Sequence, residues 1–385
     1  MSALPGAEVQ ENKTALPAAA EIDPRFEHRS RHPGLDLLRA VAIVVVVLYH
    51  TGIFGFALPS EIHRFGWVGV DLFFVLSGYL IGGQLIAQLR RRGRIRFGRF
   101  YARRGLRILP AYLVVLAIYF SLPVLREFPS ISPLWKFLFS VQNIGLRGGT
   151  AFSHAWSLAI EDQFYLLLPI TLLALSRSRR AALIVPCLIF GGGLLLRAYL
   201  AHQLPGDTGG VSPRGYQLWI YYPTWTRLDP LVFGVALAAI ESYRPRWWSA
   251  LTGCAPWLWA PAFGLIFIAL YMGESDLLTI RTCVLQLPLV GLGMAALLIC
   301  GVSPRLPLSR VEIPGAAFLA SVAYSVYLSH KLVIHAILQL CDRYSISLTS
   351  VWAFVIVEAA IYIVGAALFF AVERPFLQLR NRVAA

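Results

Sequence analysis

The sequence predicts an all-α integral membrane protein of about ten transmembrane helices, with a short re-entrant or interfacial helix and both termini cytosolic. Three observations predict it. Of 385 residues, 57% are hydrophobic and only 14% charged, whereas charged residues in a soluble domain approach a quarter of the chain. Apolar runs of roughly 20 residues, long enough to cross a bilayer, recur along the chain. Arginine clusters stand at alternate ends of those runs, which is where cytosolic loops carry their positive charge.

Residues 1 to about 34 are polar, Ala/Pro-rich and unpatterned. They read as a disordered cytosolic tail without a signal peptide. Spans are expected near 36–56, 66–88, 107–125, 154–176, 181–201, 224–243, 256–273, 280–301, 315–340 and 349–372. The basic stretch Arg90–Arg107 then forms a cytosolic loop, with Arg177–Arg180, Arg244–Arg246, Arg305–Arg310 and Arg374–Arg382 on the same side. That alternation survives only if Leu134–Ile144 does not cross, so this piece is expected to be re-entrant or interfacial. One membrane domain over 35–380 and a short tail at 381–385 complete the organisation. Five scattered cysteines lack ligand spacing, so no metal site is expected. The net charge of +14 is almost all Arg, with Lys only at Lys13, Lys136 and Lys331. It is placed as a topology signal beside membrane lipid, and no nucleic-acid partner is expected.

The stretch LDLLRAVAIVVVVLYH, Leu35–His50, carries the first chemistry. Asp36 and Arg39 share a helix face at i,i+3, and read either as an interfacial pair or as part of a site. Arg39 and His50 project in nearly the same direction, about 16 Å apart along the axis. Ionisable groups at such depth normally face a bundle interior or a wet cavity. Asp71 opens the second span, and Ser77-Gly78 lies near its middle, where a glycine admits a close helix approach. Arg103, Arg104 and Arg107 enter the third span, and the latter two share a face that suits a phosphate. Glu161 lies about 10 Å from the outer end of the fourth span, and His50 about 20 Å from the inner end of the first. Across a core roughly 30 Å thick they fall at one depth, as does His330, which shares a face with Tyr324 and Tyr327. A carboxylate beside an imidazole at one depth is what general-base chemistry uses; a polar network tying helices together is the competing reading. Arg227 and Asp229 face an external substrate or simply pair. Glu358 is a candidate partner for Lys331 or Arg227, and Glu373-Arg374-Pro375 a helix end.

Taken in order, LDLLRAVAIVVVVLYH, GVDLFFVLSGYLIG, YARRGLRILPAY, HAWSLAIEDQFYLLLP, RLDPLVFG, SVAYSVYLSH and the closing ERP resemble the acyltransferase-3 family of membrane-bound acyltransferases over nearly all of 34–380. The resemblance implies a multi-pass enzyme of the inner (cytoplasmic) membrane. It would move an acyl group, most often acetyl, from cytosolic acyl-CoA to a hydroxyl of a cell-surface or exported saccharide. By motif position His50 is the catalytic residue and Arg39 its motif partner. Arg104 and Arg107, with Arg103 beside them, are the donor-side arginines, and Ser77-Gly78-Tyr79 matches the family's Ser-Gly-Phe/Tyr element.

Acyl-CoA is expected as co-substrate, with no permanently bound cofactor. Asp36 is then the spacing-based partner of Arg39 and Glu161 the depth-based partner of His50. Asp71, Arg227, Asp229, Tyr327 and His330 are candidate acceptor contacts. Many family members carry a fused extracytoplasmic domain, and a chain ending at Ala385 is expected to act alone or with a glycan-assembly partner. A proton-coupled transporter and a non-catalytic subunit of a glycan-export complex are the alternatives.

Overall fold

In hydrocarbon a chain must satisfy its own backbone hydrogen bonds, and helices do so within one segment. The computed structural model describes residues 32–56, 65–207, 209–273 and 278–384, and among them every long element is a helix. Nine are long and apolar enough to cross a membrane. The expected N-terminal tail lies outside the described residues up to 31.

Helix α1, Pro33–Ile53, starts on a proline whose missing N–H costs nothing at that position. Helix α2, Gly69–Arg92, ends at Gly93, whose φ of 61° is the left-handed turn that glycine adopts freely. Helix α3, Phe97–Ser121, follows at once. The basic stretch is therefore not a loop, which corrects the expected start of the third span near 107. Its Arg, Ala and Leu are good helix formers, so only residues 93–96 are left to connect α2 and α3.

Helix α4, Leu134–Leu138, is short, and the chain after it descends beside α5, Trp156–Leu175. Ser140 Oγ donates to Asp162 at 2.9 Å, and Gln163 Nε2 donates to Ser140 O at 2.7 Å and to Asn143 Oδ1 at 3.0 Å. Asp162 is six residues into α5, about 9 Å from its start. The segment thus runs alongside the helix as a short helix followed by irregular chain, too short to be among the nine candidate spans.

Helix α6, Arg179–His202, leads through an irregular stretch into α7, Asp229–Tyr243. The sixth expected span, 224–243, is shortened to these 15 residues: a 3-10 turn, Thr224–Thr226, follows Pro223, and α7 begins only at Asp229 with Pro230 in its first turn. Helices α8 (Pro245–Gly253), α9 (Ala255–Met272), α10 (Ile280–Val302), α11 (Ala316–Arg343), α12 (Val351–Leu368) and α13 (Arg374–Ala384) complete the chain. Glu373-Arg374-Pro375 does not end a helix: a π turn, Phe369–Glu373, joins α12 to α13, which runs through the expected tail to Ala384. Pro375 is tolerated at the head of α13, where its missing donor is not needed.

Helices α2, α10 and α11 are mostly enclosed, while α6, α9 and α12 turn most of their surface outward. The outward residues include Leu183, Leu195, Phe267 and Ile363, which suits a lipid rather than an aqueous surround. Helices α2 and α7 cross in backbone contact at Gly78 and Gly234. A Cβ on Gly78 would lie 2.1 Å from Leu231 O, and one on Gly234 2.2 Å from Val75 O. Gly78 therefore serves packing. Gly78→Ala is expected to lower the melting temperature of the purified protein by several degrees, since overpacking costs about 1–3 kcal/mol. Gly98→Ala, with nothing within 4 Å of its added carbon, leaves melting unchanged or raised in the same assay.

Candidate active site

Near the C-terminal end of α1, His50 Nδ1 lies 2.9 Å from Val46 O. A carbonyl accepts only, so Nδ1 carries the proton and Nε2 keeps its lone pair. Nε2 has no partner among the described residues, and His50 is half-buried. Around it stand two further imidazoles. The His330 ring lies 4.8 Å from that of His50 and 4.7 Å from that of His154, and the His50 and His154 rings are 6.3 Å apart. The shared depth of His50 and His330 is thus realised as contact.

A file of polar side chains leads from this cluster toward the α2–α3 turn. Tyr327 OH donates to His154 O at 2.7 Å and sits 2.6 Å from Ser157 Oγ. One turn along α5 from Ser157, Glu161 accepts from Ser77 Oγ at 2.6 Å and from Tyr165 OH at 3.1 Å. Arg104 lies over the Tyr165 ring, 5.5 Å from its centroid, and donates to Gln84 at 3.2 Å. Arg104 is half-buried and Arg103 exposed, while Arg107 lies within electrostatic reach of Glu373 and Arg380.

The family model described as "Acyltransferase domain" matches residues 32–371. The chain belongs to the acyltransferase-3 family. Among similar proteins, the peptidoglycan O-acetyltransferase OatA of Listeria monocytogenes is 27% identical over 365 residues, covering 89% of this chain and 55% of that relative. The O-acetyltransferase OatA of Staphylococcus aureus is 31% identical over 224 residues, 54% of this chain and 34% of the relative. The chain thus spans about half, or less, of the length of these relatives. No solved structure matches it.

Several expected partners in this acyltransferase-3 chain are replaced. Glu161 does not orient His50: it is bound to Ser77 and Tyr165, about 10 Å along α5 from His154. A backbone carbonyl sets the His50 tautomer instead. Equal depth along two helices says nothing of the angle at which each side chain projects, and that angle separates the two groups. Asp36 and Arg39 do pair, at 3.3 Å, one turn into α1 and far along it from His50. Tyr79, fully buried, donates to Glu241 at 2.6 Å and stacks on Trp248. Glu358 accepts from Thr51 Oγ1 at 2.9 Å, and Lys331 donates to Ser153 Oγ at 3.1 Å with Glu127 at 4.0 Å, so neither expected partner of Glu358 is met.

Asp71, Arg227 and Asp229 turn inward rather than toward an external substrate. Arg227 contacts Asp71 through two N···O distances of 3.2 Å, and both residues are fully buried. Its guanidinium also lies 4.9 Å from the Tyr221 ring centroid and 5.3 Å from that of Trp156. Asp229 accepts from Arg197 of α6 at 2.5 Å. In so apolar an interior the cost of desolvation is offset only by pairing, which is why all four charges find one another.

Three functional or supporting residues escaped sequence reasoning. His154 stood at a span entrance and read as part of a boundary; its signal was a histidine opening a motif two before the one that His330 closes. Arg197 was visible as a lone cation inside GGGLLLRAYL. Phe152 had no signal: it adopts φ 57°, ψ 24°, rare for a bulky residue. It is held there by stacking on Tyr119 and Phe137 and by its N–H donating to Glu127 at 3.0 Å. This kink sits two residues before His154. Asp71→Ala, which leaves the Arg227 charge buried without its partner, is expected to destabilise the protein by about 3–5 kcal/mol. Thermal unfolding of the purified variant reads it, and an unchanged melting temperature contradicts it.

Proposed function

We propose that this chain is a membrane-bound O-acyltransferase. It moves an acyl group, acetyl foremost, from cytosolic acyl-CoA to a hydroxyl of a cell-surface or exported saccharide. It does so from the inner (cytoplasmic) membrane, with ten spans and both termini cytosolic. The observation that carries this reading is His50: its Nε2 lone pair is free, its tautomer is set by Val46 O, and it stands at one end of a polar file whose other end is Arg104. A membrane interior rarely holds such a file without a function. The O-acetyltransferase names of similar proteins support the reaction class.

In this reading the CoA phosphates meet Arg103, Arg104 and Arg107, where bidentate guanidinium contacts suit phosphate. The pantetheine arm follows the file past Glu161 and Ser77, so the thioester reaches His50. Nε2 takes the proton of the acceptor hydroxyl as its oxygen attacks the thioester carbonyl. The C–S bond breaks, and the departing thiolate takes that proton from the imidazolium. Val46 O orients the ring without supplying a counter-charge. His50 therefore works as a neutral base whose cation is short-lived.

Radiolabelled acetyl-CoA supplied to membranes, followed by fractionation of envelope glycans, tests the reaction. His50→Ala is expected to lower glycan labelling by about 10²–10⁴-fold with normal expression; full labelling in that variant removes His50 from the mechanism. Arg104→Ala is expected to raise the KM for acetyl-CoA by roughly tenfold, the effect of losing one charge-assisted contact. An unchanged KM would leave Arg104 as a topology marker.

A further inference from the structure

Each histidine of the cluster spends its one proton on a backbone carbonyl. His330 Nδ1 lies 2.7 Å from Tyr327 O and His154 Nε2 3.4 Å from Leu328 O, so these nitrogens are the N–H donors and the opposite ones keep lone pairs. The two lone-pair atoms, His330 Nε2 and His154 Nδ1, are buried and have no hydrogen-bond partner among the described residues. His330 is 0% exposed and His154 3%. His50 presents a third such nitrogen beside them.

The neighbouring donors are already engaged. Tyr327 OH gives its proton to His154 O, and Ser157 Oγ gives its own to Tyr327 at 2.6 Å or to His154 O at 3.5 Å. The Lys331 ammonium turns to Ser153 and Glu127. The cluster therefore offers acceptors and lacks donors. Buried acceptors are satisfied only by a donor that comes from outside them. A phosphate or carboxylate, with acceptors alone, finds no donor on the free ring nitrogens, and Lys331 next to His330 disfavours a cation. A neutral molecule with several O–H groups suits this arrangement.

Building on the acyl-transfer reading, we propose that His154 and His330 bind the acceptor by taking hydrogen bonds from its hydroxyl groups. The hydroxyl to be acylated faces His50, while a neighbouring hydroxyl donates to His330 Nε2 or His154 Nδ1. Only the first loses its proton, to His50 Nε2 and then to the departing thiolate; the second keeps its proton throughout. The acceptor class is a neutral polyol with hydroxyls on adjacent carbons, and the two histidines select it over an isolated alcohol or an amine.

The test uses the purified full chain in lipid vesicles with radiolabelled acetyl-CoA. The acceptor is the oligosaccharides released from the envelope glycan that wild-type membranes label. His154→Leu and His330→Leu are each expected to raise the acceptor KM about tenfold, the worth of one buried hydrogen bond, with the acetyl-CoA KM unchanged. His154→Asn and His330→Gln set an amide oxygen near the position of the lone-pair nitrogen and are expected to return the acceptor KM to within about threefold of wild type. If the leucine variants do not fold, His154→Gln and His330→Asn, polar but displaced, replace them with the same expectation. An unchanged acceptor KM in the leucine or displaced variants overturns the proposal. So does a joint change in both KM values that the isosteric variants do not reverse, since it marks mere support of the fold. Wild-type protein that labels no glycan overturns the acyl-transfer reading itself, and this proposal with it.

Discussion

Hydrocarbon neither donates nor accepts hydrogen bonds, so a polar group held between the two faces of this protein must be answered from within the chain. That constraint accounts for most of the interior. Asp71 meets Arg227, Asp229 meets Arg197, Ser77 and Tyr165 meet Glu161, and Thr51 meets Glu358. Against this background the unanswered nitrogens of His50, His154 and His330 stand out. Three such acceptors lie here in neighbouring rings, that of His330 4.8 Å from His50 and 4.7 Å from His154.

The ion pairs also explain how the site is held. Asp71 belongs to α2, Arg197 to α6, and Arg227 and Asp229 to the head of α7, so the two pairs tie three helices together. The α2–α7 crossing at Gly78 and Gly234 brings the same helices to backbone contact. The rings of Trp156 and Tyr221 close over Arg227, and Trp156 begins the helix that His154 precedes. Strain at Phe152, of order 1–3 kcal/mol for such a backbone, is carried by stacked aromatics and by Glu127 on the other side of His154. A charged scaffold below and an aromatic clamp above fix one imidazole. Helix α11 fixes the next through the Tyr327 carbonyl.

For a reaction joining two compartments, the position of this cluster matters as much as its chemistry. The file from Arg104 through Tyr165, Glu161 and Ser77 lies on the α2–α3 turn side of the histidines. Glu127 and Ser153, which meet Lys331 next to His330, border the cluster as well. A donor and an acceptor arriving from opposite ends would meet where only weak bases, not carboxylates, await them. In the proposed reaction a neutral imidazole would serve there, because its ionised form need persist only through the transfer.

Composition and the spacing of apolar runs were enough to determine the fold class, because a span must be apolar over a length that the bilayer sets. That Leu134–Ile144 does not form a long helix was legible too, since the apolar run there is short. The nearness of His50 and His330 was readable from helical spacing, and the Asp36–Arg39 pair from i,i+3 geometry. Tertiary structure decided the partners. Helical spacing gives depth along one axis but not the angle at which two helices face each other, so Glu161 was matched to His50 when its neighbours are Ser77 and Tyr165. The inward turn of Asp71, Arg227 and Asp229, and the entry of His154 into the cluster, depend on which helices cross and how closely. Distant glycines and buried charges settle that only once the chain is packed.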